Sequence, residues 1–134
     1  SNIMFGRKKG ILKDSRWREL EKEMPKSKFF DGYKVHEQKV FTSVNKRPDA
    51  FAINPKNQRD RRIGDAKSVK ELTRSHVDQV KEYKRHPGYA KKGLLYVASD
   101  TKVPHKVRKY AKESNIKVER GNIPRKKTSF WGIS

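Results

Sequence analysis

The sequence predicts an α/β fold in which helices pack on one mixed sheet, and three observations lead to this prediction. Short segments rich in β-branched and aromatic residues alternate with segments of helical periodicity. Their order is helix, three strands, helix, strand, helix, strand (αβββαβαβ). The length of 134 residues suits one domain that can bury a core. We therefore expect a single domain over residues 14–120, with a flexible basic arm at 1–13 and a basic tail at 121–134.

The first predicted helix spans about residues 14–24 and is amphipathic. Trp17 and Met24 lie on its apolar stripe, and Glu21 lies on the same stripe between them. Glu23 is expected to point away from this face. The helix therefore presents one acidic side chain to whatever it packs against.

The later elements follow from β-branched runs and helical spacing. The predicted strands lie at 33–44, 48–53, 62–69, 93–98 and 116–119. The polar stretch 54–60 contains Pro55 and Asn57 and predicts a hairpin loop. Two further helices are expected at 70–86 and 104–114.

The charge balance limits the class of partner. Thirty-five Lys and Arg face 15 Asp and Glu, which gives a net charge of +20 and favours polyanions such as nucleic acid. The absence of cysteine excludes disulfides and thiolate zinc sites. No run approaches the ~20 apolar residues of a membrane span, so none is expected. The cations proposed to contact a nucleic-acid backbone are Arg61, Arg62, Lys106, Arg108 and Lys109.

Two acidic residues and a lysine are spaced in the sequence as a metal-binding site would require. Asp49 follows Pro48, and sixteen residues later Asp65 and Lys67 stand two apart on a predicted strand. Residues two apart face the same side, and a hairpin would bring Asp49 beside Asp65. Paired carboxylates suit Mg²⁺ or Mn²⁺, and a nearby lysine can orient a water and offset phosphate charge. The simpler alternative is a solvated ion pair on the strand.

These residues resemble a known motif. Pro48–Asp49 with Asp65–Lys67 resembles the PD-(D/E)xK motif of restriction-endonuclease-like nucleases, and the predicted elements are similar in order to that family's core. Gln79–Tyr83 resembles the Q-x-x-x-Y element of its exonuclease-like branch. The resemblance covers about residues 14–98 and implies a restriction-endonuclease-like core.

The resemblance also implies roles for individual residues. Asp49 and Asp65 would coordinate a divalent metal together with the backbone carbonyl of Ala66, and Lys67 would handle the attacking water. The implied ion is Mg²⁺, with Mn²⁺ or Zn²⁺ as alternatives. An acid from the first helix often completes such a metal shell, and Glu21 is the candidate here.

Some of these assignments leave alternatives open. Glu37 competes with Glu21, because its position in the first strand can point inward. Gln79 and Tyr83 lie one helical turn apart on the inward face. They would either support Lys67 or the nucleic-acid backbone, or simply pack in the core.

The implied activity is a metal-dependent endonuclease that hydrolyses phosphodiester bonds, with DNA favoured over tRNA as substrate. A small, basic domain without cysteine is also similar to the C-terminal toxin domains of bacterial contact-dependent inhibition and polymorphic toxin systems. That similarity implies export within a larger protein, action in the target-cell cytoplasm and an acidic immunity protein as partner; a stand-alone enzyme would be cytoplasmic. The alternatives are an RNA-cleaving nuclease of the same fold and a non-catalytic basic protein that binds nucleic acid.

Overall fold

The computed structural model describes residues 16–37, 48–85 and 89–125 of the chain. The predicted basic arm at 1–13, the later part of the first predicted strand and the tail beyond 125 lie outside these ranges. No helix within them combines the length and the apolar character that a membrane crossing requires.

Three helices and five strands make up the described fold. Residues 16–23 belong to helix α1, which is followed by two short 3₁₀ helices, Met24–Lys26 and Lys28–Phe30. Helices α2 and α3 span Arg74–Arg85 and His105–Glu113. The strands are β1 Lys34–Glu37, β2 Ala50–Asn54, β3 Asn57–Lys67, β4 Lys92–Val97 and β5 Ile116–Arg120.

The strands form one mixed sheet in the order β1-β2-β3-β4-β5. The pairs β1–β2 and β2–β3 are antiparallel, whereas β3–β4 and β4–β5 are parallel. Each parallel connection passes through a helix, as a parallel crossover requires. The predicted α/β class with a mixed sheet is therefore confirmed.

Both faces of the sheet are covered. On one face Ile63, Leu95 and Val97 pack against α2 and α3. On the other face small and aromatic strand residues pack against α1 and the 3₁₀ helices. A Cβ added at Gly64 would lie 2.7 Å from Cζ of Phe30, so glycine there lets the second 3₁₀ helix approach β3 closely.

The predicted loop at 54–60 is wrong, because β3 begins at Asn57. Only Pro55 and Lys56 form the turn. The Oδ1 of Asn54 accepts the backbone N–H of Lys56 at 2.9 Å, and its Nδ2 donates to Asp60 at 3.0 Å. Polar side chains thus build a tight turn and an exposed start of a strand, which composition alone does not distinguish from a loop.

Helix α2 begins at Arg74, four residues later than predicted. Glu71 forms a parallel bridge with Lys102, and the N–H of Leu72 donates to the Lys102 carbonyl at 2.8 Å. The imidazole Nδ1 of His76 accepts the N–H of Thr73 at 2.9 Å and caps the first turn. The segment 70–73 does not join the helix, because the main chain of Lys70 and Leu72 is hydrogen-bonded to the distant Lys102.

Candidate active site

The candidate site lies where β3 extends past the end of β2. The last β2–β3 pair is Ala50 with Gly64, so among the described residues the strand neighbour of Asp65, Ala66 and Lys67 is β4 alone. Asp49 immediately precedes β2 and occupies the position that a longer β2 would fill. The hairpin predicted from the sequence therefore does bring Asp49 to the Asp65–Lys67 segment.

Side chains replace the missing strand at Ala66. The Oδ2 of Asp49 accepts the backbone N–H of Ala66 at 2.8 Å, and Nε1 of Trp17 donates to the Ala66 carbonyl at 3.0 Å. A carbonyl oxygen has two lone pairs, so the bond from Trp17 leaves one of them for a further partner such as a cation. The sequence predicted only that Trp17 lies on the apolar stripe of the first helix. Its position one helical turn before Glu21 is the feature from which its contact with Ala66 could have been anticipated.

Asp65 and Lys67 share the face of the sheet that α2 covers. Asp65 is 3% exposed, and the ammonium of Lys67 lies 3.1 Å from its Oδ2. Among the described residues none meets the geometry of a hydrogen bond to this buried Oδ2, so the Lys67 ammonium is its charge partner. An oxygen of this kind is costly to bury and can accept a cation.

Gln79 on α2 holds the lysine from the other side. Nζ of Lys67 donates to Oε1 of Gln79 at 2.5 Å. Tyr83, one turn further along α2, is 6% exposed and belongs to the core, which is the packing role that the sequence left open. Burial and the charges of Asp65 and Asp49 raise the pKa of Tyr83 to about 12.

Glu21 reaches the same cluster from α1. Burial, followed by a hydrogen bond with Glu21, raises the pKa of Asp49 to about 7, although the N–H of Ala66 opposes the shift. Burial and the charge of Asp49 raise the pKa of Asp65 well above its usual range, against the effect of Lys67. Three carboxyl groups from three elements are thus neighbours. The side chain of Glu37, the competing candidate, lies outside the described part of the chain.

These carboxyl groups hydrogen-bond to one another in the structure. In residues 16–37, 48–85 and 89–125 no set of three or more Asp, Glu or His side chains has the arrangement of a formed metal centre. The donor set nevertheless fits a hard cation, since it consists of the carboxyl oxygens of Asp49, Asp65 and Glu21 and the Ala66 carbonyl. A cation bound here would have to displace the protons that these carboxyl groups share.

His76 on α2 is a further neighbour of the site. Its ring is half-buried, and burial together with the charge of Lys67 lowers its pKa. With Nδ1 accepting from Thr73, the neutral ring carries its proton on Nε2.

The prediction for Glu23 is wrong. Its Oε1 accepts hydrogen bonds from Tyr96 Oη and from the N–H of Asn122, both at 2.7 Å. Burial would raise the pKa of Glu23, but these bonds outweigh burial and lower it. Glu23 therefore joins α1 to the chain after β5, separately from the acidic cluster.

The predicted nucleic-acid contacts are distributed over β3 and α3. Arg62 precedes Asp65 by three residues on β3, a distance of about 10 Å along the strand. Arg61 donates to the Gln58 carbonyl at 2.7 Å, and Arg108 donates to the Val118 carbonyl at 3.1 Å. The remaining two, Lys106 and Lys109, are exposed on α3.

Comparisons with known proteins add no family to this description. A scan against protein-family models, a search of curated proteins and a search of solved structures each found no match for this chain.

Proposed function

We propose that this chain is a divalent-metal-dependent nuclease with a restriction-endonuclease-like core. The observation that carries the proposal is that Asp49, Asp65 and Lys67 meet where β3 extends past the end of β2, with the buried Asp65 carboxyl group 3.1 Å from the Lys67 ammonium. The element order αβββαβαβ and the mixed sheet agree with that fold family's core. The net charge of +20 suits a phosphodiester substrate.

The chemistry assigned to each residue follows from its contacts. Asp49, Asp65, Glu21 and the Ala66 carbonyl would hold the cation, which when bound supplies positive charge to the scissile phosphate. Lys67 is held by Asp65 and Gln79, so its ammonium is fixed beside the carboxyl groups that would bind the cation. It would orient that water and offset the charge that develops on the phosphate.

DNA is the substrate that we favour, with tRNA as the alternative within the same fold. The small, strongly basic domain also supports a role as a toxin domain exported within a larger protein and acting in the cytoplasm of a neighbouring bacterium. An acidic immunity protein would then be its natural inhibitor, because opposite charge speeds and orients such an association.

One observation favours a different class of function, a non-catalytic protein that binds nucleic acid. Asp49 and Trp17 form hydrogen bonds with the backbone N–H and carbonyl of Ala66, and the carboxyl groups form hydrogen bonds with one another. These contacts are also expected of a cluster that only stabilises the fold. This alternative explains the charge of the protein but gives no reason for burying Asp65 beside Lys67.

The deciding experiment incubates the protein with plasmid DNA and with total tRNA, in Mg²⁺, Mn²⁺, Zn²⁺ or EDTA. We expect cleavage that needs the metal and is lost in Asp65→Ala and in Lys67→Ala, while both variants still bind the nucleic acid. Cleavage that survives both substitutions would refute the site. Salt-sensitive binding without cleavage in any metal would refute the nuclease and leave the binding protein.

A further inference from the structure

A second charged feature lies at the other end of the sheet, where β4 and β5 begin. It is a cleft of about 480 Å³, and five of its lining residues are cationic and none is acidic: Phe29, Arg62, Lys92, Arg108, Lys112, Asn115, Ile116, Lys117 and Val118. Arg62 pairs with Lys92 across β3 and β4, whereas Lys67 pairs with Val97. Arg62 precedes Asp65 by three residues, so the cleft is about 10 Å along β3 from the acidic cluster.

The two arginines of the cleft are held by main-chain carbonyls. Arg62 donates to the Phe29 carbonyl at 2.5 Å, and its guanidinium lies 4.4 Å from the ring centroid of Tyr33. Arg108 donates to the Val118 carbonyl at 3.1 Å. Within the described ranges neither guanidinium lies within 4 Å of a carboxylate oxygen, although the charge of Arg62 helps to lower the pKa of Asp60.

An exposed aromatic ring stands beside this cleft. The side chain of Tyr89 is 80% exposed, and it is three residues from Lys92, which places their Cα atoms within about 11 Å. Tyr89 lines a neighbouring groove of about 420 Å³ with three cationic residues, Lys81, Lys84 and Arg85, and two acidic ones, Asp78 and Glu82. Ser114 also lines this groove, and the next residue, Asn115, lines the first cleft. A large exposed ring close to cations is a stacking platform for an unpaired base.

We propose that the cleft and Tyr89 form one surface that binds single-stranded nucleic acid, with phosphates in the cleft and a base on the Tyr89 ring. The proposal rests on the proposed function for its choice of a polynucleotide. A single strand fits because a base within a duplex is already stacked on its neighbours and cannot lie on Tyr89. The surface would hold a strand at one end of the sheet while its continuation reaches the acidic cluster at the other.

The test measures binding of a fluorescein-labelled oligodeoxythymidylate of about twelve nucleotides by anisotropy in EDTA, where no metal-dependent cleavage occurs. Lys92→Gln/Lys112→Gln should lower the slope of log affinity against log salt by about 1.4, since two phosphate contacts are lost. Tyr89→Ala should weaken binding about 5- to 150-fold, and Tyr89→Phe should retain it. Circular dichroism establishes that each variant is folded.

The matched control is Lys34→Gln/Lys56→Gln, which removes the same charge at exposed positions outside the cleft. It should change affinity and slope less than the cleft variant does. Equal effects of the two double variants, or wild-type binding by both the cleft variant and Tyr89→Ala, would overturn the proposal. Poly-glutamate is tested as a second ligand of the same variants. If the cleft variant loses poly-glutamate binding but keeps oligonucleotide binding, the partner is an acidic protein and the proposal is overturned. Cleavage is measured in a separate assay. If the wild-type protein binds the oligonucleotide through the cleft but cleaves no nucleic acid in any metal, only the proposed function is refuted.

Discussion

Gln79 accepts a hydrogen bond of 2.5 Å from the ammonium of Lys67, and this bond links helix α2 to the end of β3. The same ammonium lies 3.1 Å from Asp65 on its own strand. A lysine side chain has four rotatable bonds, so two contacts of this kind are needed to fix the position of its charge. The bond is thus a support for Lys67 that can be removed without touching the carboxyl groups.

We expect Gln79→Ala to lower kcat of nucleic-acid cleavage by about 10- to 100-fold, which is typical for loss of a group that supports a catalytic residue. KM should change little, because the substrate backbone is held elsewhere. The matched control is Gln58→Ala, which truncates an exposed glutamine on β3. Steady-state kinetics of the two variants decide the matter: a kcat that is equal in Gln79→Ala and in wild type would contradict the support role.

The metal-free protein should lose stability as the pH rises from about 4 to about 7. The unfolded chain releases the Asp49 proton near pH 3.8, whereas the folded chain keeps it up to about pH 7. The unfolded state then binds fewer protons in this window, so the free energy of unfolding falls, by at most about 4 kcal/mol for Asp49 alone. Asp65, whose pKa is also raised, contributes with the same sign.

Thermal unfolding in EDTA at a series of pH values measures this effect. Asp49→Asn and Asp65→Asn should each flatten the profile relative to wild type, because neither side chain can ionise. The other ionisable groups also titrate over this range, but they do so in wild type and variants alike. The difference between the wild-type and variant stability curves therefore reports on the substituted carboxyl group. Parallel curves for variant and wild type would show that the group is not protonated in the fold.

Much of the site follows from local sequence, because strand alternation is a local property. Asp65 and Lys67 share a face since they are two residues apart, and the turn after Asn54 returns the chain so that Asp49 meets them. Helical spacing likewise sets Gln79 on the inward face of α2. These relationships need no knowledge of distant contacts.

Other features depend on partners far along the chain and escaped prediction. Glu23 bonds to Tyr96 and Asn122, which are 73 and 99 positions away, so helix periodicity could not orient it. The start of α2 is delayed by the bridge between Glu71 and Lys102. Neither contact can be predicted from residues that are neighbours in the sequence.

Binding of Mn²⁺ should be visible at Trp17, whose indole donates to the Ala66 carbonyl. A paramagnetic ion held by Asp49 and Asp65 would quench the fluorescence of a ring this close to the site. The second tryptophan, Trp131, is removed by Trp131→Phe in every sample. In that background we expect saturable quenching by Mn²⁺ at pH 8, and much weaker quenching at pH 5, where the carboxyl groups keep their protons.

Asp65→Asn in the same background is the control for the Mn²⁺ titration. It should abolish the saturable component of the quenching and leave only collisional quenching, which is linear in Mn²⁺. The readout is independent of cleavage. Saturable quenching that is unchanged in Asp65→Asn would place the ion elsewhere.

The approach of Phe30 to Gly64 should make that glycine essential to the packing beside the site. Alanine at position 64 would put its Cβ 2.7 Å from the ring of Phe30 and 3.0 Å from Sδ of Met24, and both side chains are buried. We expect Gly64→Ala to reduce the free energy of unfolding by about 1–3 kcal/mol, as overpacking does.

Phe30→Leu should relieve part of this loss, since it removes the ring atom that clashes. In a double-mutant cycle by urea denaturation, the combined loss should be smaller than the sum of the single losses by at least about 0.5 kcal/mol. Strict additivity would mean that the ring moves aside without cost.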